Sequence, residues 1–313
     1  DIFSVFQKTF NRTVSANLGM SYSICNVMAE ATLENILRWV PIEIDKDELT
    51  NRIANKMIRP TTIPQSLNDL KVEQAIAREA LRLSFIQHKQ FAVSLKGVQT
   101  ERTISDAFEQ SGSGETLVDM IELDLLVGSG GVLSHAPRRQ QAARMLIDAF
   151  LPEGITQLAV DSIFMMPQLG VLANIDQPEL EESAKKAAIQ VFENDCLIRL
   201  GTCVAPNGKL KPGKSALKAT LQLPDGSIWM KDLNFGDLIK IDAPYEKIPA
   251  KFQPAKGVDL GAGPGEEFET TIYGGVVGVM FDMRGRPLVF PESDSERIKK
   301  IIQWSMAVDE YPE

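Results

Sequence analysis

The stretch that decides the fold comprises residues 122–139 and reads ELDLLVGSGGVLSHAPRR. Residues 125–127 form the short apolar run that is typical of a strand in a sheet covered on both faces. The glycines after it allow positive φ and a close approach of the backbone to a ligand. Pro137 suits the first turn of a helix, where a missing N–H costs little. The stretch therefore predicts a strand, a glycine turn and a helix.

This arrangement leaves backbone donors that point into a crevice, which is how many α/β proteins hold a nucleotide. Gly128, Ser129, Gly130 and Gly131 are therefore candidate nucleotide-binding residues. The alternative is a turn that only connects a strand to a helix. His135 lies at the helix start, either near the bound ligand or as a structural imidazole.

Composition is that of an ordinary globular protein. The 313 residues are 44% hydrophobic and 24% charged, which allows two domains or one with a large insertion. A net charge of -9 argues against a nucleic-acid binder, which would normally carry a basic face. No apolar run is long enough to span a membrane. The start, DIFSVF, lacks the features of a signal peptide and resembles the middle of a strand, so we expect a truncated piece of a longer protein.

Cysteine and histidine are scarce. Cys25, Cys196 and Cys203 are odd in number and scattered, which favours a reducing cytoplasm over a disulfide framework. His88 and His135 are the only histidines. Their number argues against a histidine-rich metal site and leaves two candidates for the base of a catalytic triad.

The first part of the chain predicts a hairpin and helices. Residues 2–6 and 12–17 are predicted strands, and residues 21–40 form a helix that ends at Pro41. Residues 42–110 are a predicted helical insertion, in which Ser66 caps a long helix. Its charged residues are expected to face water: Glu73, Arg78, Glu79 and Arg82. Residues 111–114 read SGSG, a flexible break.

Alternation of strands and helices follows. We expect a helix over 138–150, a strand over 155–160 and helices over 164–172 and 179–193. A strand–helix–strand repeat of this length implies parallel strands and a right-handed crossover.

From residue 196 onward, turn signals recur about every ten residues, as in a small β-sandwich or barrel. A closing helix is predicted over 293–308. The predicted domains are therefore 1–194 and 195–313. The aromatic residues Trp229, Phe235 and Tyr245 could anchor a partner in the second.

Charged residues near the predicted strand ends and helix start are further candidates. Asp1, Asp124 and Asp161 lie where Mg²⁺-phosphate sites often recruit a carboxylate. Arg138 and Arg139 occupy a first helical turn, where the helix dipole disfavours cations. An anion or acidic partner nearby would explain them, although two solvated arginines are the simpler interpretation. Residues 261–265, GAGPG, lack the Lys-Ser/Thr of a P-loop and are interpreted as a strand connection.

Several longer strings carry a resemblance to a known family. NRTVSANLGMSYS at residues 11–23, the opening stretch through residue 139 and DSIFMMP at 161–167 are similar to the glutamate mutase accessory family. That family is called MutL or GlmL and is unrelated to the mismatch-repair protein of the same name. The resemblance covers essentially the whole chain, including residues 256–263 and 285–287.

The resemblance implies an α/β fold, namely the C-terminal half of an actin-like (ribonuclease-H-like) ATPase domain with a helical insertion at about 42–110, followed by a β-rich domain. In such ATPases two phosphate loops precede an adenosine-binding strand–Gly-Gly–helix. Residues 127–131 match the adenosine element, residues 1–6 resemble the tail of the second phosphate loop, and residues 161–170 resemble the strand and helix that follow. The implied nucleotide-binding residues are Gly128, Ser129, Gly130, Gly131, His135, Asp1 and Asp161.

The implied function is an ATP-driven chaperone that reactivates an adenosylcobalamin-dependent aminomutase. ATP or ADP with Mg²⁺ is the implied cofactor of the full-length protein, and mutase subunits are the implied partners. Because both phosphate loops are missing, we expect this chain to bind adenosine weakly and not to hydrolyse ATP alone. Self-association stays open, and neither nucleic acid nor a membrane is expected as a partner. The alternatives are a small-metabolite kinase, which needs an acid to accept the substrate's proton, and a structural module with a vestigial nucleotide site.

Overall fold

A computed structural model describes residues 1–6, 8–93, 116–175, 180–209 and 212–312. The chain divides into two compact units, Asp1–Asp119 and Met120–Glu313. This division does not coincide with the predicted boundary near residue 194, which lies inside the second unit. The predicted break at residues 111–114 lies outside the described residues, as do residues 94–110 of the predicted insertion.

The first unit begins with the predicted hairpin. Strands β1 (Ile2–Phe6) and β2 (Thr9–Thr13) pair antiparallel, with Val5 opposite Phe10. The second strand lies earlier in the chain than the predicted 12–17. His88 joins the hairpin to the helices, because its ring nitrogens lie 2.7 Å from Ser4 Oγ and 2.9 Å from Thr13 Oγ1.

Four helices follow in the described part of the first unit: α1 (Ile24–Ala31), α2 (Leu33–Leu37), α3 (Lys46–Ile58) and α4 (Leu67–Phe91). The helix predicted over 21–40 is split because Thr32 has φ +68°. The predicted cap of α4 is confirmed: Ser66 and Asp69 form a reciprocal capping box. The helices bury an aliphatic core that includes Val27, Ile36, Leu49 and Ile53.

The prediction that the charged residues of α4 face water is wrong for its central turns. Arg78 and Glu79 are buried. The Glu79 carboxylate accepts hydrogen bonds from Arg38 Nη2 at 2.5 Å, Trp39 Nε1 at 2.7 Å and Arg82 Nε at 2.8 Å. Burial of this charge is tolerable because paired donors replace the water it has lost.

The second unit opens with β3 (Leu125–Gly128), α5 (Gly131–Ser134), α6 (Arg139–Phe150), β4 (Gly154–Asp161), α7 (Met166–Ala173) and α8 (Glu181–Val191). A π-helical turn (Phe192–Cys196) leads into a β-rich part. Its strands are β5 (Leu197–Ala205), β6 (Asn207–Gly208), β7 (Ser215–Gln222), β8 (Ile228–Asn234), β9 (Leu238–Ile241), β10 (Lys247–Pro254), β11 (Val258–Asp259), β12 (Phe268–Tyr273) and β13 (Gly278–Asp282). Helix α9 (Asp294–Ala307) closes the unit.

A mixed five-stranded sheet with the order β3-β4-β5-β13-β9 is the centre of this unit. Strands β3 and β4 are parallel, as predicted, and β4 pairs antiparallel with β5. The pairing of β4 with β5 continues the sheet across residue 194, which is why the predicted boundary does not divide the structure. The expectation of a strand covered on both faces is wrong for β3, which is an edge strand with Leu125 40% exposed.

A second, antiparallel sheet with the order β12-β10-β7-β8 packs against the mixed sheet. Their shared core includes Leu217 and Phe252 from the antiparallel sheet and Val204 and Phe281 from the mixed sheet. The β-rich tail thus contributes strands to both sheets, and the mixed sheet also uses β3 and β4 from before residue 195.

Helices α6 and α9 enclose a buried group of charges in the second unit. Arg284 forms ion pairs with Asp282 at 2.7 Å and with Asp148 at 2.8 Å, and Arg144 pairs with Asp148 at 3.0 Å. Burial alone would raise the pKa of Asp282, but the Arg284 and Arg286 guanidiniums together outweigh burial and hold that pKa well below its usual range. Since each charge has a partner of opposite sign, this network positions α6 against the end of β13.

Candidate functional site

The glycine turn has the predicted local structure. Strand β3 ends at Gly128, Ser129 follows, and Gly130 precedes the first residue of α5 with φ +100°. This backbone conformation strains any residue with a side chain. A glycine at position 130 is therefore what allows the chain to turn from β3 directly into α5.

The three glycines of the turn do different things. A Cβ on Gly128 would lie 2.9 Å from Leu133 Cδ1 and 3.1 Å from Leu146 Cδ2, so this glycine permits close packing of the strand against α5 and α6. A Cβ on Gly130 or Gly131 would meet nothing within 4 Å. Open space thus lies beside the second and third glycines, on the side where a ligand could approach.

Ser129 adds an unused polar group to the turn. Its Oγ is shielded from solvent and finds no hydrogen-bond partner among the described residues. A buried hydroxyl without a partner costs about 1–3 kcal/mol. A ligand that offered a hydrogen bond at this point would recover part of that cost.

Asp161 lies at the end of β4, the strand next to β3, and is completely buried. Its carboxylate oxygens accept hydrogen bonds from the backbone N–H groups of Met165, at 3.4 Å, and Met166, at 3.2 Å. Asp161 therefore holds the start of α7. Both of its carboxylate oxygens are thus used within the unit, and neither is free for a Mg²⁺-phosphate.

The other predicted residues of this region lie on the surface. His135 is exposed and ends α5. Arg139 Nη1 donates to the backbone oxygen of Ser134 at 2.7 Å, and Arg138 Nη1 donates to that of Asp309 at 3.2 Å. The two arginines are thus occupied by backbone carbonyls of their own unit, and an anionic partner is not needed to explain them.

Asp1 belongs to the first unit, where its carboxylate pairs with Arg12 Nη2 at 2.7 Å. The structure therefore brings together six of the seven predicted nucleotide-binding residues, in the second unit, and places Asp1 in the other. Asp124 is exposed, immediately before β3. Among the described residues its side chain makes no hydrogen bond or ion pair, and its backbone oxygen accepts a hydrogen bond from Gln157 N–H.

The second glycine-rich segment and the aromatic residues of the β-rich part lie outside this site. The glycine-rich residues 261–265 form a turn in which Asp259 Oδ1 accepts hydrogen bonds from the N–H groups of Gly261, at 2.7 Å, and Gly263, at 3.1 Å. They connect strands, as interpreted. Trp229 and Phe235 are not free anchors for a partner, because both pack against the sandwich core. Tyr245 is half exposed and stacks on Tyr273.

Cysteine and histidine chemistry does not converge on the glycine turn. Burial raises the pKa of the Cys203 thiol to about 12, so that it stays protonated. Burial lowers the pKa of His88, which lies in the first unit. In the part of the chain that the structure describes, no group of three or more His, Cys, Asp or Glu residues is placed to hold a metal ion.

Ser134 is the residue of this site whose role the sequence did not reveal. Its hydroxyl donates to the backbone oxygen of Asp161, which joins α5 to the end of β4. The partners are 27 positions apart, so only the pairing of β3 with β4 brings them together.

None of the described helices combines the length and the apolar character needed to cross a membrane.

Comparison with protein families identifies a match. A family model described as "MutL protein" matches residues 2–196, which is more than half of the chain and includes the hairpin, the helices of the first unit and the glycine turn. No curated protein and no solved structure matches the chain.

Proposed function

The chain belongs to the MutL family of glutamate mutase accessory proteins, and from that premise we propose that it is the nucleotide-binding part of an ATP-dependent reactivating chaperone. Its client would be an adenosylcobalamin-dependent aminomutase of the glutamate mutase type. The nucleotide would be ATP or ADP with Mg²⁺, the compartment the cytoplasm and the partners the mutase subunits.

One observation carries the proposal: the turn at Gly130 combines positive φ with open space and an unpartnered hydroxyl. Gly130 and Gly131 offer bare backbone to a ligand, and Ser129 Oγ offers a hydrogen bond. An adenosine moiety has a flat apolar face and polar edges, and both can be used at such a turn. These residues therefore fit the adenosine part of a nucleotide.

The remaining predicted residues have narrower roles. Asp161 supports α7 through its carboxylate and is assigned to positioning, because its oxygens already accept backbone N–H groups. His135 lies one turn after the glycines, and its exposed imidazole could contact a ligand bound at the turn. The phosphates and Mg²⁺ would bind elsewhere in the family's site, since the carboxylate oxygens of Asp161 are already used and Asp124 lies at the opposite end of β3 from the turn.

Transmission to a partner would pass through Ser134 and Asp161. A ligand that moved α5 would pull on the hydrogen bond from Ser134 Oγ to the Asp161 backbone. The Asp161 carboxylate also anchors the first turn of α7. A small shift at the turn would thereby reach α7, and closure of this kind is a common way to convert ligand binding into work on a partner.

The test of the proposed role is a reactivation assay. The full-length protein is mixed with an aminomutase inactivated by damaged cofactor, and turnover is followed after addition of ATP, Mg²⁺ and fresh adenosylcobalamin. Recovery that requires both the protein and ATP is expected. Equal recovery without ATP, or none with all components, would reject the chaperone role.

A further inference from the structure

A cavity of about 660 Å³ lies within the first unit, lined by residues of α1, α3, α4 and the segment 59–65 that joins α3 to α4. Four of its lining residues are buried aliphatics: Ile24, Ile53, Val72 and Ile76. Volumes of roughly 300–1,000 Å³ with mostly apolar walls are typical of small-molecule sites. The cavity is thus large enough for a ligand with an apolar body.

Two of the three cations that line this cavity are paired. Arg52 pairs with Glu48 at 2.6 Å and with Asp69 at 2.9 Å, and Lys56 pairs with Glu73 at 3.0 Å. Lys56 also donates to the backbone oxygen of Thr62. In the described part of the chain, Arg59 has neither a hydrogen bond from its side chain nor an ion pair, although it lines the same cavity. One positive charge therefore stands free beside an apolar space.

Two large apolar side chains extend the cavity wall toward solvent. One precedes Arg59 in the sequence and the other follows it. Ile58 is 71% exposed and Ile63 is 70% exposed, and both line the cavity. Single exposed aliphatics are ordinary on a protein surface. Here they adjoin a cavity with an aliphatic interior, so a ligand inside could cover them.

We propose that this cavity binds a small amphiphile with an aliphatic body and one carboxylate, whose charge pairs with the Arg59 guanidinium. The planar guanidinium can donate two parallel hydrogen bonds to a carboxylate. A dianion such as a phosphate monoester would require a second free cation, and both Arg52 and Lys56 are already paired. This site is separate from the glycine turn and does not depend on the proposed nucleotide function.

The test uses the whole chain with isoleucine methyl groups labelled for NMR, and sodium octanoate as the probe. Acetate, which lacks the aliphatic body, and 1-octanol, which lacks the charge, are the comparison probes. Octanoate is expected to bind saturably and with higher affinity than either comparison probe. Its binding should shift the methyl signals of the isoleucines that line the cavity: Ile24, Ile53, Ile58, Ile63 and Ile76. Ile272 and Ile301, in the second unit, should not respond.

Variants separate the charge from the cavity. Arg59→Gln should weaken octanoate binding about fivefold, the size of one exposed ion pair. Lys299→Gln removes a positive charge from an exposed site in α9 and should leave binding unchanged. Asn55→Trp places a large side chain among the lining residues and should abolish binding.

A cation next to the C-terminus of α3 also favours that helix, so the thermal stability of each variant is measured alongside its affinity. A loss of stability in Arg59→Gln with unchanged octanoate affinity would overturn the proposal. Equal binding of octanoate and octanol would do so too, as would an absence of saturable shifts at the lining methyls.

Discussion

The Ser134 hydroxyl donates a 2.5 Å hydrogen bond to the backbone oxygen of Asp161, and this contact ties the helix after the glycine turn to the neighbouring strand. Asp161 in turn holds α7 through its carboxylate. The three elements α5, β4 and α7 therefore meet at one buried residue. The proposed passage of a signal from the turn to α7 depends on this contact.

Ser134→Ala tests how much the contact contributes to stability. The variant removes the donor from a buried backbone oxygen, so we expect the free energy of unfolding to fall by about 1–3 kcal/mol. Ser183→Ala is the matched control, because Ser183 Oγ donates to the backbone oxygen of Leu180 at an exposed position. Urea denaturation of both variants measures the difference, and equal losses would contradict the account.

Gly128 and Gly131 should respond in opposite directions to added side chains. Gly128→Val forces atoms against Leu133 and Leu146 and should cost about 1–3 kcal/mol through overpacking. Gly131→Ala meets open space at a helical position and should stabilise by about 0.4–1 kcal/mol. Chemical denaturation gives both values. A larger loss for Gly131→Ala than for Gly128→Val would refute this division of roles.

Glu79→Gln should be severely destabilising to the first unit. The buried carboxylate pairs with Arg38 and Arg82, and its loss leaves their charges uncompensated, at a cost of about 3–5 kcal/mol. Glu34→Gln is the control, since Glu34 pairs with Lys46 at an exposed site and should matter little. Circular dichroism during thermal unfolding compares the two variants. Similar melting temperatures would show that the buried network does not stabilise the unit as argued.

His88 should make the stability of the first unit depend on pH. Burial lowers its pKa, so between that value and about 6.5 the unfolded chain binds a proton that the folded chain does not. Stability is therefore complete above pH 6.5 and is lost as the pH falls, until the folded state also takes up the proton. Urea denaturation at pH 7.5 and pH 5.5 measures the loss.

His88→Gln should reduce that difference between the two pH values. His135→Gln, which alters an exposed side chain of the second unit, is the comparison variant. A wild-type difference that survives unchanged in His88→Gln would assign the pH dependence to another group.

Local signals predicted local structure well. The apolar run at 125–127 and the glycines after it predicted β3 and its turn, because strand and turn chemistry are set by neighbouring residues. Ser66 and Asp69 predicted the start of α4 for the same reason. The family resemblance, carried by longer strings, is confirmed by the match over residues 2–196.

Features that depend on distant residues could not be predicted. The partners of Glu79 at positions 38 and 39 lie about forty residues away, and no local pattern indicated that Trp39 would face α4. The exposed edge position of β3 depends on which strands pair, as does the continuation of the sheet from β4 into β5. The burial of Asp161 likewise follows from the position of α7, which composition does not reveal.

The most direct test of the nucleotide proposal compares two glycines of the same geometry. Gly130 has φ +100° and Gly236 has φ +103°, and a Cβ on either would meet nothing within 4 Å. Valine at each position should therefore cost a similar amount of stability, about 1–2 kcal/mol. Calorimetric titration of the wild type and both variants with ATP and ADP is the measurement. Binding that is lost in Gly130→Val and kept in Gly236→Val is the predicted result, and unchanged binding in Gly130→Val would contradict the account.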